Sequence, residues 1–322
     1  MISSENDPAG NQTISDALIL VGFSYLSKLQ ILLFLVLLVI YLVTLMGNLL
    51  VILLIKLNPS LHTPMYFFLM NLSFLEICFT SSVIPHLLVH LLGEENSISI
   101  AGCAAQMYIF TIMGLTECCL LAAMAYDRYV AICHPLHYTT IMSGRVCALL
   151  AGASWAIGIS VEVTEVTWIF SLPFCGSNRI QHFFCDVSPV MQKACADTSK
   201  NELMLLTVSV VFILGPFLLI LLSYILIIST ILKLASIDGR HKAFSTCSSH
   251  LMVVTLFYGT ALITYLGPKS SSSPESDQMI SLLNTIISPA LNPIIYTLRN
   301  KEVKGAFRKT LQKCSFPHHW RN

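Results

Sequence analysis

Long runs without a charged residue are the feature that most constrains this chain. Asp, Glu, Lys and Arg are absent from four stretches, 29–55, 203–232, 243–268 and 278–298. Three further stretches, 57–92, 102–126 and 146–170, contain one or two acidic residues each and no basic residue apart from His. A helix that crosses the hydrocarbon core of a bilayer needs about 20 mostly apolar residues. The pattern therefore predicts seven membrane-spanning helices.

Composition excludes the soluble alternatives. Charged residues make up 11% of the chain and hydrophobic residues 55%, with a mean hydropathy of +0.74. A soluble protein carries about 25% charged residues, so this chain could not cover a water-facing surface. Its net charge of +1 offers no basic field for nucleic acid. Because the apolar residues do not alternate as barrel strands do, we expect an all-α membrane protein.

The distribution of Lys and Arg predicts the orientation. Thirteen of the 18 basic residues fall on one side of the predicted spans and five on the other. The positive-inside rule then predicts an extracellular N-terminal segment (1–28), a seven-helix domain (29–298) and a cytoplasmic tail (299–322). Residues 1–20 lack a basic region, so we expect the first span to act as the targeting signal. Asn11, in the sequence Asn11-Gln12-Thr13, is a predicted glycosylation site on the outer side.

Four of the eleven cysteines fall on the predicted outer side, where thiols can oxidise. They are Cys103, Cys175, Cys185 and Cys195, and spacing alone leaves three pairings open. A zinc site is the alternative, but these cysteines lack the short Cys-x-x-Cys spacing that zinc sites usually show.

The segment after the seventh span has the pattern of a short amphipathic helix on the cytoplasmic leaflet. Apolar residues recur there at helical spacing and basic residues fill the other faces; the apolar set is Val303, Ala306, Phe307 and Leu311, and the basic set is Lys301, Lys304, Arg308 and Lys309. A disordered basic tail is the alternative. Cys314, just beyond, is a candidate for acylation.

Several local strings are not explained by composition. Met124 to Pro135 includes Asp127-Arg128-Tyr129 at the inner end of the third span. An ion pair there is costly unless the two charges neutralise each other, although Arg128 could simply extend to the headgroups. Asn292-Pro293 lies in the seventh span, where a proline frees a backbone carbonyl and an asparagine can satisfy such groups. An ordinary proline kink is the simpler interpretation.

Together with 61–69 and 242–251, these strings resemble the rhodopsin-like G-protein-coupled receptors, and most closely the odorant (olfactory) receptors. The resemblance runs from about residue 25 to residue 310. The loop at 266–275 resembles the tetrapod-type class of that family. The resemblance implies a plasma-membrane receptor, without a cofactor, that binds small volatile ligands in its outer half. It also implies activation of a stimulatory heterotrimeric G protein that raises cAMP.

The resemblance also implies roles for individual residues. Asn48 matches a polar anchor of the first span, and Arg128 matches the arginine that engages the G protein. Cys103 is implied to bond Cys185, and Cys175 to bond Cys195. The proposed switch comprises Asp127, Arg128, Tyr129, Tyr224, His250, Asn292, Pro293 and Tyr296. This chain departs from the family at Glu76, where an aspartate is most common.

Two spans carry an acid near mid-membrane, Glu76 and Glu117. An unpaired charge at that depth costs at least about 2.5 kcal/mol, so each must be paired, protonated or bound to a cation. The resemblance implies sodium, with Ser288 and Asn292 nearby. A proton shared between the two acids is an equally good interpretation of the sequence.

Three spans present faces at helical spacing toward the outer half, where the resemblance locates the ligand. The predicted lining is Met107, Phe110, Thr111, Gly114 and Leu115 in span three, Leu205, Val208, Ser209 and Phe212 in span five, and Tyr258, Ala261, Leu262 and Tyr265 in span six. Plain helix packing or lipid contact is the alternative for each residue. The lining suits a small, weakly polar molecule. Glu162 and Glu165, near the rim, would favour an amine unless they face water.

Other functions fit less well. A transporter would usually show internal repeats, which are absent from this sequence, and seven spans cannot divide into equal halves. An intramembrane enzyme would need a nucleophile with its base or a metal cluster, and neither Gly-x-Ser-x-Gly nor His-Glu-x-x-His occurs. His250 is more consistent with a packing hydrogen bond than with a catalytic base. A non-olfactory chemosensory receptor of the same fold is the nearest alternative.

Overall fold

A computed structural model describes residues 17–23, 28–93, 97–233, 236–267, 273–299 and 301–315. Within these ranges, seven helices are long and apolar enough to cross a membrane, which confirms the prediction. They are α1 (Gln30–Leu57), α2 (Pro64–Leu92), α3 (Ile100–Cys133), α4 (Gly144–Phe170), α5 (Ser199–Lys233), α6 (Ile237–Leu266) and α7 (274–299). The predicted glycosylation site at Asn11 lies outside the described residues.

Shorter elements connect these helices. Single turns at Pro59–Leu61, Pro135–His137 and Tyr138–Ile141 follow α1 and α3 at one end of the bundle, and Val187–Met191 lies in the loop between α4 and α5 at the other end. Two wider, π-helical turns interrupt spanning helices, at Val210–Leu214 in α5 and Leu283–Ile287 in α7.

Serine side chains define where several spanning helices begin. The hydroxyls of Ser99, Ser143, Ser236 and Ser273 accept hydrogen bonds from backbone N–H groups in the first turns of α3, α4, α6 and α7. Such caps satisfy N–H groups that have no partner within the helix. Large apolar side chains on α1 and α5 point outward, including Leu32, Val39, Leu218 and Leu222. This surface is suited to contact with lipid.

A small sheet covers part of the outer face and was not predicted. Its strands are β1 (Ala17–Leu20), β2 (Ser97–Ser99) and β3 (Arg179–Ile180), in the order β2-β1-β3. β1 runs antiparallel to β2, with Leu18 opposite Ile98, and parallel to β3, with Leu20 opposite Ile180. The prediction of an all-α membrane domain is confirmed, and this short sheet is an addition outside the spanning helices. Strands of two to four residues are too short to show a period in the sequence.

Two disulfides fasten the long outer loop. Cys103, at the start of α3, is bonded to Cys185, and Cys175 is bonded to Cys195. These are the pairs that the family resemblance implied. The first ties the loop across the end of the bundle, and the second closes a lobe of the loop itself.

The tail forms helix α8 (Lys301–Ser315) rather than a disordered segment. Val303 and Ala306 are buried against the bundle, while Phe307 is partly exposed. The hydroxyl of Tyr66 donates to Glu302 at 2.9 Å, which ties the start of α8 to α2. The prediction of a short amphipathic helix is confirmed. The side chains of Leu311 and Cys314 lie outside the described residues.

The closest approach of α3 and α4 depends on Gly158. A Cβ added there would overlap the hydroxyl of Thr116 and lie 3.0 Å from the carbonyl oxygen of Ile112. We expect Gly158→Ala to lower the free energy of unfolding by about 1–3 kcal/mol, because the two helices must separate. Thermal unfolding of the detergent-solubilised protein measures this change.

Gly152→Ala is the matched control on the same helix, because a Cβ at Gly152 meets no atom within 4 Å. It should leave the stability unchanged or raise it by up to about 1 kcal/mol, since alanine favours helix over glycine. Equal melting temperatures for the two variants would contradict the packing assigned to Gly158.

Candidate functional site

A cavity lies in the outer half of the bundle, between α3, α4, α5 and α6; the space between its walls is about 590 Å³ when the part open to solvent is included. Nine of the thirteen residues predicted for the ligand site line it: Phe110, Thr111, Gly114, Leu115, Leu205, Val208, Ser209, Ala261 and Tyr265. The faces that helical spacing predicted on α3 and α5, and part of the one on α6, therefore line this cavity; their role in ligand binding stays a prediction.

The other four predicted residues lie outside the lining, each for a local reason. Met107 packs against the outer loop, in the cluster that contains Cys103. Leu262 packs against the main core. Phe212 lies in the wide turn of α5, and the cavity is lined there by Ile213. Because a π-helical turn contains more residues than an α-helical turn, α-helical spacing selects the wrong residue.

Tyr258 lies beneath the cavity rather than in its lining. It is fully buried, between the rings of Phe217 and Phe257. Its hydroxyl donates to the backbone carbonyl of Cys118 at 3.0 Å. Since Cys118 does line the cavity, Tyr258 connects the cavity floor on α3 to α6.

Six lining residues were not predicted: three lie on α2, α7 and the outer loop, away from the three predicted faces, and three lie on α3, α5 and α6 themselves. Phe79 of α2 stacks on Phe110, with the ring centroids 4.6 Å apart. Asn284 belongs to the wide turn of α7 and accepts a hydrogen bond from Thr260 at 3.0 Å. The remaining unpredicted lining residues are Cys118, Val187, Ile213 and Phe257.

Glu162 and Glu165 line the cavity wall formed by α4. Their exposed fractions are 6% and 3%, so the alternative that these acids face bulk water is wrong. The Thr111 hydroxyl lies within hydrogen-bonding reach of the Glu162 carboxyl group. Oε1 of Glu165 is buried and has no hydrogen-bond partner among the described residues.

The outer loop closes the cavity from above. The backbone N–H of Cys185 donates to Gln106 at 2.9 Å, and Gln106 in turn donates to the carbonyl of Ser82 on α2 at 2.9 Å. His182 lies 3.3 Å from the hydroxyl of Ser281 on α7. Burial lowers the pKa of His182 to about 4, so its ring is neutral at physiological pH. The loop is thus held to α2, α3 and α7 by uncharged contacts.

A second polar site lies deeper, between α2 and α7. The amide nitrogen of Asn292 donates a hydrogen bond to Glu76. Oε2 of Glu76 and the side-chain oxygens of Asn48 and Asn292 are buried without a partner among the described residues. Glu117 and Ser288 are also buried. Unpartnered carboxylate and amide oxygens are ligands that hard cations prefer, so this donor set fits such an ion.

No group of three or more His, Cys, Asp and Glu side chains that could hold a metal ion occurs in the described part of the chain. The deeper site therefore lacks the ligand set of a transition metal, and its oxygens are divided between carboxyl and amide groups.

The inner end of α3 carries the Asp127–Arg128 pair. Arg128 donates to Asp127 Oδ2 from two nitrogens, at 2.7 and 3.1 Å. The Tyr138 hydroxyl donates to the other oxygen of Asp127 at 2.7 Å. Burial and the neighbouring carboxylate raise the pKa of Tyr138, so this donor stays protonated. Arg128 is therefore paired with its neighbour rather than extended freely to the headgroups.

The other predicted switch residues make separate contacts on neighbouring helices. The Tyr224 hydroxyl lies 2.6 Å from Nδ1 of His250, which joins α5 to α6 and confirms His250 as a packing hydrogen bonder. Tyr296 is buried, and its hydroxyl has no partner among the described residues. Tyr129 instead contacts His134, with its hydroxyl 3.2 Å from Nε2. Pro293 packs against α1, since a Cβ on Gly47 would lie 3.0 Å from its ring.

The seven spanning helices of the described chain, followed by a helix on the inner side, define a rhodopsin-like receptor fold. The chain is similar to squid rhodopsin, with a TM-score of 0.71 at 18% identity, covering 92% of this chain and 89% of that one. At this identity, the likeness concerns the fold alone.

Sequence comparison gives the family. The family model described as olfactory receptor matches residues 37–314. Human olfactory receptor 10A4 is 57% identical, over 94% of this chain and 96% of its own length, and human olfactory receptor 10C1 is 53% identical, over 95% and 98%. The chain belongs to the olfactory receptor family. It is a multi-pass membrane protein that functions as an odorant receptor of the G-protein-coupled class.

The contacts of Asp127 generate a prediction about the resting state. Tyr138→Phe removes one of the two groups that hold Asp127, so we expect it to raise basal cAMP roughly twofold or more at equal surface expression. Arg128→Ala should abolish ligand-stimulated cAMP, because the group implied to engage the G protein is lost.

Tyr126→Phe is the matched control, since Tyr126 is exposed one residue before the pair. It should leave basal and stimulated cAMP unchanged. Normal signalling by Arg128→Ala, or equal basal activity in the two tyrosine variants, would contradict the role assigned to this cluster.

Proposed function

We propose that this receptor lies in the plasma membrane with its N-terminus outside and binds a small volatile odorant in the cavity of its outer half. On the cytoplasmic side it activates a stimulatory heterotrimeric G protein and so raises cAMP. The observation that carries the proposal is that one helix, α3, lines the cavity and also carries the Asp127–Arg128 pair at its inner end. A ligand in the cavity and a G protein at the cytoplasmic end would therefore act on the same helix, α3.

The cavity supports this assignment by its shape and chemistry. It is lined mainly by apolar and aromatic side chains, with a few hydroxyl, amide and carboxyl groups. Sites of this kind bind small molecules by excluding water and fix their orientation with a few polar contacts. Val187 of the outer loop also lines the cavity, so a ligand would contact this loop as well as the helices.

The route from cavity to switch runs through two packed contacts. Tyr258 links the carbonyl of Cys118 on α3 to α6, and His250 links α6 to Tyr224 on α5. A ligand that binds better to one arrangement of α3 and α6 shifts the population toward it. We propose that the active arrangement releases Arg128 from Asp127 and lets Tyr224 and Tyr296 approach it.

Filling the cavity tests the location of the ligand site. Gly114 faces the cavity, and a Cβ there would meet only Phe79, at 3.8 Å. We expect Gly114→Phe to abolish the cAMP response to odorants at normal surface expression, because the ring occupies the ligand volume. A screen of volatile compounds on cells that express an olfactory G protein provides the measurement.

Gly259→Phe is the control for added bulk, because Gly259 is exposed on α6 and a Cβ there meets no atom within 4 Å. It should respond like the unaltered receptor. Tyr258→Phe should weaken the response without abolishing it, because it removes one interhelical hydrogen bond, worth about 0.5–1.5 kcal/mol. An unchanged dose-response curve for Gly114→Phe would mean that the ligand binds elsewhere.

We further propose that the deeper site binds a sodium ion through Glu76, Asn292 and Ser288, with Glu117 adding negative charge. The unpartnered oxygens of Glu76 and Asn292 support this assignment. A bound cation would neutralise the buried carboxyl groups and hold α2 to α7. A proton shared between Glu76 and Glu117 is the competing arrangement.

Replacement of sodium separates the two arrangements. When choline replaces sodium at fixed ionic strength, agonist potency should change roughly fivefold or more, because an ion that prefers one conformation couples to the ligand. Glu76→Gln should remove this dependence, whereas Glu202→Gln, on the exposed outer end of α5, should retain it. Agonist potency indifferent to sodium in the unaltered receptor would leave the shared proton as the explanation.

A further inference from the structure

Two carboxyl groups share one wall of the ligand cavity, and they are its only acidic or basic side chains among the described residues. Glu162 and Glu165 are three residues apart on α4, so they lie on the same helical face, roughly 5–6 Å apart at their Cβ atoms. The rest of the lining is uncharged. The cavity therefore has both of its carboxyl groups on one wall, and its other walls are mainly apolar.

Of the two acids, Glu165 is the one with an unsatisfied hydrogen-bond acceptor. It is 3% exposed, and its Oε1 atom is buried without a hydrogen-bond partner among the described residues. A buried acceptor without a donor is unfavourable, and an unpaired carboxylate is more so. Glu162 is 6% exposed, and the nearby Thr111 hydroxyl donates its proton to the carbonyl of Met107 at 2.9 Å. The unpartnered acceptor of Glu165 thus lies on the cavity wall, about one helical turn from a second carboxyl group.

A third acid increases the negative potential. Asp186, in the loop above the cavity, is close enough to Glu165 for their charges to repel. One oxygen of Asp186 accepts the N–H of Val187 at 2.8 Å and so caps the short helix there. Positively charged side chains are absent from the described cavity lining. A cation that entered the cavity would therefore gain attraction from three carboxyl groups without repulsion from its walls.

We propose that the ligand of this receptor is a small organic amine, bound as its ammonium ion. Glu165 accepts its charged hydrogen bond and Glu162 supplies a second acceptor. A primary ammonium group has three donors, which suits two adjacent carboxyl groups. The carbon skeleton lies against Phe110, Leu115 and Val208, on the apolar side of the cavity. This inference names the ligand class for the site in the proposed function, and it rests on that function for the cavity's role as the odorant site.

Neutral odorants are the competing class. If the carboxyl groups were protonated, they would donate hydrogen bonds to alcohols or ketones, and an amine would have no advantage. The comparison that matters is therefore between an amine and an alcohol with the same carbon skeleton, since shape and apolar area are then matched.

Direct binding to the purified full-length receptor in lipid nanodiscs tests the inference without relying on signalling. The probes are heptylamine and benzylamine, each compared with heptan-1-ol and benzyl alcohol by the ligand-induced rise in melting temperature. We expect the amines to bind at least roughly tenfold more tightly than the alcohols. Charge-assisted hydrogen bonds of this kind correspond to a factor of about ten or more.

Glutamine variants assign the effect to the two acids. Glu165→Gln should weaken amine binding roughly tenfold or more and leave alcohol binding nearly unchanged, because it keeps the shape and removes the charge. Glu162→Gln should have a smaller effect, and the double variant should lose the preference for amines. Glu202→Gln is the matched control, since Glu202 is exposed and bonds only to Thr198 through its side chain in the described structure.

The outcomes separate this inference from the proposed function. Alcohols that bind as tightly as amines, no binding by the amines, or undiminished amine binding in Glu165→Gln would overturn it. The ranking of amine over alcohol uses the unaltered receptor, so it remains informative if a variant fails to fold. A cAMP response to alcohols alone would overturn the amine class and leave the proposed function intact. Amine binding without any cAMP response would do the reverse.

Discussion

The interior of a bilayer contains no water to satisfy a polar group, and this constraint organises the receptor from one face to the other. Each buried polar side chain must find a partner within the bundle or remain available for a ligand. Tyr258 satisfies this condition by bonding to the carbonyl of Cys118, and His250 by bonding to Tyr224. These pairs join neighbouring helices at defined points. Other buried groups have no partner among the described residues, and among them the Glu165 carboxyl group lies in the cavity wall, where a ligand can supply the missing bond.

The same constraint explains why so much of the architecture could be predicted. Long apolar runs must be helical in a bilayer, so four charge-free runs and three with one or two acidic residues predicted seven spans. The faces of α3 and α5 followed from helical spacing, because Phe110, Gly114 and Ser209 lie on regular stretches. The basic residues of the tail, interleaved with Val303 and Ala306, predicted helix α8. Each of these patterns lies within one short segment of the chain, and each predicts the structure of that segment only.

What could not be predicted depends on contacts between distant segments or on departures from regular geometry. Phe212 was assigned to the cavity on α-helical spacing, whereas the wide turn of α5 puts Ile213 there. Phe79 and Asn284 reach the cavity from α2 and α7, whose patterns give no indication of it. The burial of Glu165 depends on how far α4 extends beneath the outer loop. The disulfide pairs were implied by family resemblance, since spacing alone left three choices.

The outer sheet has a consequence for the order in which the molecule is assembled. Its central strand, β1, comes from the first described segment of the chain, yet β1 pairs with residues 97–99 on one side and residues 179–180 on the other. A central strand cannot be completed until both neighbours have arrived, and the loops that must close are long. The outer sheet therefore cannot be completed until the first four spanning helices have been made. Damage to the N-terminal segment should leave a bundle that is inserted correctly but incompletely covered at its outer end.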